Sequence, residues 1–137
     1  MKNIARPLAM MLALLPALAS AKSLGVQRVA PGQYVIERSY LDRAMKDLTP
    51  VLQQARAVPH FEEGTMVGFR LMQIVPGSIY QNLGLKDGDV VLSINGNSLE
   101  SPAKAIQVFG ALRGASHVSV RLRRKAKVFH YVYDVRK

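Results

Sequence analysis

Cysteine is absent from all 137 residues, so neither a disulfide framework nor a thiolate metal site can support the chain, and its core must hold by packing alone. Tryptophan is also missing. Acidic residues are scarce, 9 against 19 Lys and Arg, and this excess of positive charge favours anionic partners: acidic proteins, lipid head groups or nucleic acid. No apolar run approaches the roughly 20 residues that a membrane-spanning helix requires. The longest, residues 7–18, covers about a dozen positions, follows Lys2 and Arg6, and ends in the small residues Ala17, Ala19, Ser20 and Ala21. That layout is a secretory signal peptide over residues 1–21, with Ala19-Ser20-Ala21 as the cleavage pattern, and it places the mature chain in the periplasm. An uncleaved inner-membrane anchor is the alternative, which Pro16 and the small residues after it fit poorly. For an exported chain nucleic acid is the least suitable anionic partner.

Catalytic and metal chemistry lack the residues they need. His60, His117 and His130 are scattered, with no i, i+4 pair and no carboxylate at ligand spacing. Asp87-Gly88-Asp89 lacks the further oxygen ligands and the twelfth-position Glu of a calcium loop, and reads as a turn before a strand. Ser78 is not in a G-x-S-x-G elbow and has no assignable His and Asp partners. The expectation is a binding protein that is no enzyme and uses neither metal nor cofactor.

What the chain has in quantity is punctuation by glycine. Gly68-Phe69-Arg70-Leu71 is followed by Pro76-Gly77-Ser78, Leu83-Gly84-Leu85, Asp87-Gly88-Asp89-Val90 and Ile94-Asn95-Gly96, with short apolar stretches between. Residues 22–32 lack periodicity and end in Pro31-Gly32, giving a flexible leader over residues 22–33. Residues 34–37 read as a strand. Ser39 and Asp42 resemble a capping box before an amphipathic helix carrying Leu41, Met45, Leu48 and Leu52. Thr49-Pro50 ends or kinks that helix, or restarts it with Thr49 as cap, and the segment closes at Val58-Pro59. Strands are expected at 67–75, 90–94, 118–122 and 128–135, with a short helix at 79–83. A longer helix is capped by Ser101, with Pro102 at its first position and Gly114 past its end. The hairpin turn Arg124-Lys125-Ala126-Lys127 contains no glycine, so its type stays open.

Taken in order, these motifs resemble a PDZ domain. The fold implied is α+β: a PDZ-like, partly open β-barrel or sandwich with two helices over residues 60–137, preceded by a strand and amphipathic helix over residues 34–59. The resemblance implies that a glycine-containing loop, here Thr65-Met66-Val67-Gly68-Phe69, receives a peptide carboxylate on its amides while the following strand pairs with the peptide. Val67, Gly68, Phe69, Arg70 and Leu71 are therefore the candidate peptide-binding residues, with Ile106 and Phe109 on the long helix as the opposite wall. The approach Ala55-Arg56-Ala57-Val58-Pro59-His60-Phe61, with the motifs above and Ser101-Pro102-Ala103-Lys104-Ala105, is similar to the periplasmic C-terminal part of type II secretion protein C. This likeness spans about residues 34–135 and implies a protein partner, either a secreted substrate or a component of the secretion machine. Secretin contact belongs to a separate region in that family and is not carried over. A regulatory, substrate-recognising subunit of an envelope protease is the alternative function. The basic cluster Arg121, Arg123, Arg124, Lys125 and Lys127 is expected at a hairpin end, where it keeps the edge soluble or docks an acidic partner or, peripherally, the membrane surface.

Overall fold

The computed structural model describes residues 25–137. The expected signal peptide, its cleavage site and the first residues of the leader lie outside the described residues. Eight strands form one open mixed sheet: β1 (Val26–Ala30), β2 (Gln33–Glu37), β3 (Arg56–Glu62), β4 (Thr65–Met72), β5 (Val90–Ile94), β6 (Asn97–Ser98), β7 (His117–Arg124) and β8 (Lys127–Arg136). Their order is β1-β2-β8-β7-β5-β4-β3, with β6 paired to β5 outside this path. The described helices are α1 (Arg38–Lys46), α2 (Leu48–Gln53), α3 (Ile79–Asn82) and α4 (Pro102–Gly110). The α+β class expected from the sequence is found.

Alternation along the strands sorts the two faces of the sheet. The register aligns Pro59, Phe69, Val91, Leu122 and Phe129 in one cross-strand row. Their face carries the core, in which Leu122 is completely buried among Leu71, Val91, Ile94, Tyr131, Tyr133 and Val135. The adjacent row, Val58, Arg70, Val90 and Arg123, faces the other way.

The N-terminal segment is built into this sheet, which corrects three boundaries. Val26–Ala30, expected within a flexible leader, is a strand paired antiparallel to β2, with Val26 buried in the core. It escapes a pattern search because Gln27, Arg28 and Val29 lie exposed in succession on the sheet's edge. β2 pairs in parallel with β8 and buries Tyr34 and Ile36, so the described residues before 60 share the sheet and core of those after it. The proposed junction at Val58-Pro59 falls inside β3, where proline is tolerated because the strand has a neighbour on one side only.

The helices between β2 and β3 also differ from expectation. Ser39 is inside α1, whose cap position is Glu37 without a side-chain cap bond. Asp47, not Thr49, caps α2 by accepting from the Thr49 amide at 3.1 Å. Tyr40 and Leu41 pack on the core, but neither helix contains a fully buried residue, and Leu52 is 65% exposed. The stripe Leu41, Met45, Leu48 and Leu52 is therefore not a continuous packing face.

Candidate functional site

Thr65–Met72 is a strand, not the carboxylate-binding loop expected from the sequence, and it has neighbours on both sides. Its ladder to β3 runs from Arg56 opposite Met72 to Glu62 opposite Thr65, and on the other side Phe69 and Arg70 oppose Val91 and Val90. The Leu71 amide donates to the Asp89 carbonyl at 2.8 Å, and the Leu71 carbonyl accepts from the Gly88 amide at 2.7 Å. Residues 69–71, bonded on both sides in this way, cannot take up a peptide by edge pairing.

The five candidates on β4 consequently separate. Phe69 and Leu71 pack toward the core, while Arg70 lies on the opposite face. Val67 is half-buried beside Gly68. A Cβ on Gly68 would lie 2.2 Å from the Val91 carbonyl oxygen, so glycine is required there by the close crossing of β4 over β5, not by an approaching ligand.

The unpaired edge on this side belongs to β3, which the sequence reading cut in two. Its exposed Phe61 and the Pro59 inside an otherwise extended run are the signals that could have identified it, since proline demotes a strand to an edge. The two candidates on α4 are placed more as expected. Ser101 caps that helix by accepting from the Lys104 amide at 3.0 Å, and Pro102 occupies its first turn. Val108 is buried, and Ala105 and Leu112 pack beside it on the core. Ile106 and Phe109, three residues apart on one face, are 73% and 46% exposed. The helix is thus fixed by one side and presents unpartnered apolar side chains on another.

The remaining glycine motifs form scaffold. Asp89, with no exposed surface, accepts two bonds of 2.8 Å from the Arg124 guanidinium and one of 2.9 Å from the Lys86 amide. Arg124 also donates to the Tyr131 hydroxyl at 3.0 Å and the Gly84 carbonyl at 3.1 Å, and stacks over Phe129. The Asp89 hydrogen bond pushes the Arg124 guanidinium still further above its already high range. Arg124, read from sequence as part of a surface cluster, is therefore a structural clamp. Tyr133 donates to the Leu83 carbonyl at 2.7 Å, and burial raises its phenol well above the usual range. Among the described residues no cluster of three His, Asp or Glu side chains could hold a metal ion.

An open, largely antiparallel sheet with a short helix, a Gly-Asp turn whose Asp89 is buried and a capped second helix packed on the core corresponds to a known arrangement. The family description "PDZ domain" matches residues 70–124. The fold is a PDZ fold. The PDZ domain of EpsC from Vibrio cholerae superposes with a TM-score of 0.54 over 70% of this chain and 91% of that one, at 17% identity. The PDZ domain of the pullulanase C protein of the Klebsiella pneumoniae type II secretion system, crystallised with a fatty acid, gives 0.50 over 69% and 98%, at 18% identity. In sequence, type II secretion system protein C of Aeromonas salmonicida and of Aeromonas hydrophila are each 36% identical over 70 residues, 49% of this chain. That alignment spans 23% of the length of those relatives. The PDZ domain here thus resembles the PDZ domains of type II secretion protein C.

Proposed function

We propose that this chain is a non-catalytic PDZ protein of the periplasm that binds an extended segment of a protein partner during type II secretion. The segment adds as a strand to the free edge of β3 and rests its side chains on Ile106 and Phe109 of α4. The observation that carries this reading is the pairing pattern: β3 has a neighbour on one side only, and an anchored helix bears two exposed apolar residues. Main-chain hydrogen bonds along the edge supply affinity, and the apolar side chains select the residues that face α4. The partner is a secreted substrate or a component of the secretion machine, in keeping with the names of the relatives.

Two measurements test the two halves of this reading. Protein recovered by osmotic shock should begin at Lys22, and intact chains in the membrane fraction would replace periplasmic release by anchoring. The full chain, used as bait in periplasm, should retain a secreted or secretion-machine protein that Ile106→Asp with Phe109→Asp fails to retain. Undiminished capture of that same protein by the double variant would remove α4 from the site.

A further inference from the structure

On the face of the sheet away from Phe69 and Leu71, the structure forms a recess of about 760 Å³ between β3, β4, β7 and the turns at Lys86-Asp87-Gly88 and Lys125-Ala126. Arg70, Lys86, Arg123 and Lys125 converge on it. Of these, Arg70, Lys86 and Lys125 make no ion pair among the described residues. Arg123 is engaged by a carboxylate of the chain itself: Glu62, from the edge strand β3, hydrogen-bonds its guanidinium while also meeting His60 at 3.3 Å. Asp87, the other acid lining the recess, is occupied in accepting from the Ile74 amide at 2.9 Å.

We propose that this recess is a second docking site, for an acidic segment of a partner protein whose carboxylates pair with Arg70, Lys86 and Lys125 beside the Glu62–Arg123 pair. Charge complementarity is the first support: three cations without carboxylate partners face one cavity in a chain of net charge +10. Shape is the second. Guanidinium groups set within a concavity reach carboxylates on a projecting segment, and planar guanidinium matches carboxylate geometry. A flat lipid surface would instead engage Arg121 and Lys127, which are exposed and do not line the recess. The third support is Glu62, which shows that a carboxylate fits against Arg123 at the rim. The five-residue basic cluster seen in the sequence therefore divides into a clamp residue, recess residues and outlying charges. The recess lies on a face of β3, β4 and β7 and includes neither Ile106 nor Phe109, and its test does not depend on strand addition to the β3 edge.

Fluorescence anisotropy of the full chain with a short fluorescein-labelled Asp/Glu peptide tests it, with the peptide carrying no apolar residue that the α4 face could hold. Arg70→Gln with Lys86→Gln should weaken binding on the order of tenfold, whereas Arg121→Gln with Lys127→Gln, an equal loss of charge, should change it less than about twofold. Lys86→Gln with Lys125→Gln repeats the recess test at two exposed side chains free of structural bonds, so a folding defect in the Arg70 variant leaves the outcome readable. Equal weakening by recess and outlying pairs, or no peptide binding at low salt, would overturn the proposal. So would stronger binding to phosphatidylglycerol–phosphatidylethanolamine vesicles that depends on Arg121 and Lys127, which would assign the basic surface to lipid.

Discussion

The sheet leaves a strand edge free at each end, on β1 and on β3, but the region where β2 meets β8 and the β3 end are finished in opposite ways. Where β2 meets β8, Tyr34, Tyr131 and Tyr133 pack ring against ring, with centroids 5.7 and 5.1 Å from Tyr34. The Tyr133 hydroxyl donates to the Leu83 carbonyl, and Arg124, which also donates to the Tyr131 hydroxyl, donates to the Gly84 carbonyl, so the two tie that turn to the sheet. A Cβ on Gly84 would lie 1.9 Å from the Tyr34 hydroxyl. At the β3 end a strand edge is left unpaired with Phe61 exposed on it, and α4, which the proposed function sets beside that edge, exposes Ile106 and Phe109. Saturated contacts supply stability, whereas unsaturated edges and exposed apolar groups supply affinity. Substitutions in the first region should therefore cost folding, and at the second binding.

Arg124→Ala should have the largest effect, because it leaves the buried Asp89 carboxylate without its counter-ion; a loss of about 3–5 kcal/mol is expected by urea unfolding. Gly84→Ala follows. It combines a clash against the Tyr34 hydroxyl with a φ of +84°, a region that L-residues enter at a cost of about 1–2 kcal/mol, and overpacking adds about 1–3 kcal/mol. A melting temperature close to that of the parent in either variant would show that the tyrosine region is not the tight one. At the open end, Phe109→Ser should change stability by no more than about 0.5 kcal/mol while weakening partner binding, and a large loss of stability would mean that Phe109 is packing, not displayed.

The smallest effect concerns Glu62. The Arg123 hydrogen bond holds its carboxyl below the usual glutamate range. Because the folded value is depressed, the pair's support is present above the unfolded glutamate pKa and fades as pH falls through the lower folded value. Both groups are solvent-accessible, so the consequence is a displaced titration more than a change in stability. A carboxyl-detected NMR titration should give Glu62 a midpoint below that of ordinary glutamates, returning to their range in Arg123→Ala. An unshifted midpoint in the parent chain would remove Glu62 as a carboxylate engaged at the recess.

Much of the turn and cap scaffold could be read from sequence, because its signals are local. Asn95-Gly96 takes positive φ at both residues, as a tight hairpin turn requires, and Ser101-Pro102 starts α4 as written. Ser78 likewise caps α3, accepting from the Gln81 amide. At the other hairpin, Lys125 itself adopts a φ of 60°, so that turn forms without glycine. The open end was less legible, since its decisive property is which strand lacks a neighbour, and pairing is not local. Gly68 shows the difficulty: a glycine before Phe-Arg-Leu has the composition of a ligand-binding loop, but only the proximity of Val91 reveals that it serves a strand crossing. Under the proposed function the role expected for residues 67–71 passes to β3, and Ile106 and Phe109, exposed on α4, remain candidates.

The most direct test of the account is to map a bound partner peptide by NMR, using cross-strand contacts and amide hydrogen exchange. The peptide should show backbone contacts to β3 and slow the exchange of amides within residues 56–62, with side-chain contacts to Ile106 and Phe109. Contacts confined to β1, or to the Arg124–Lys127 turn with the amides of β3 unchanged, would contradict strand addition at this edge.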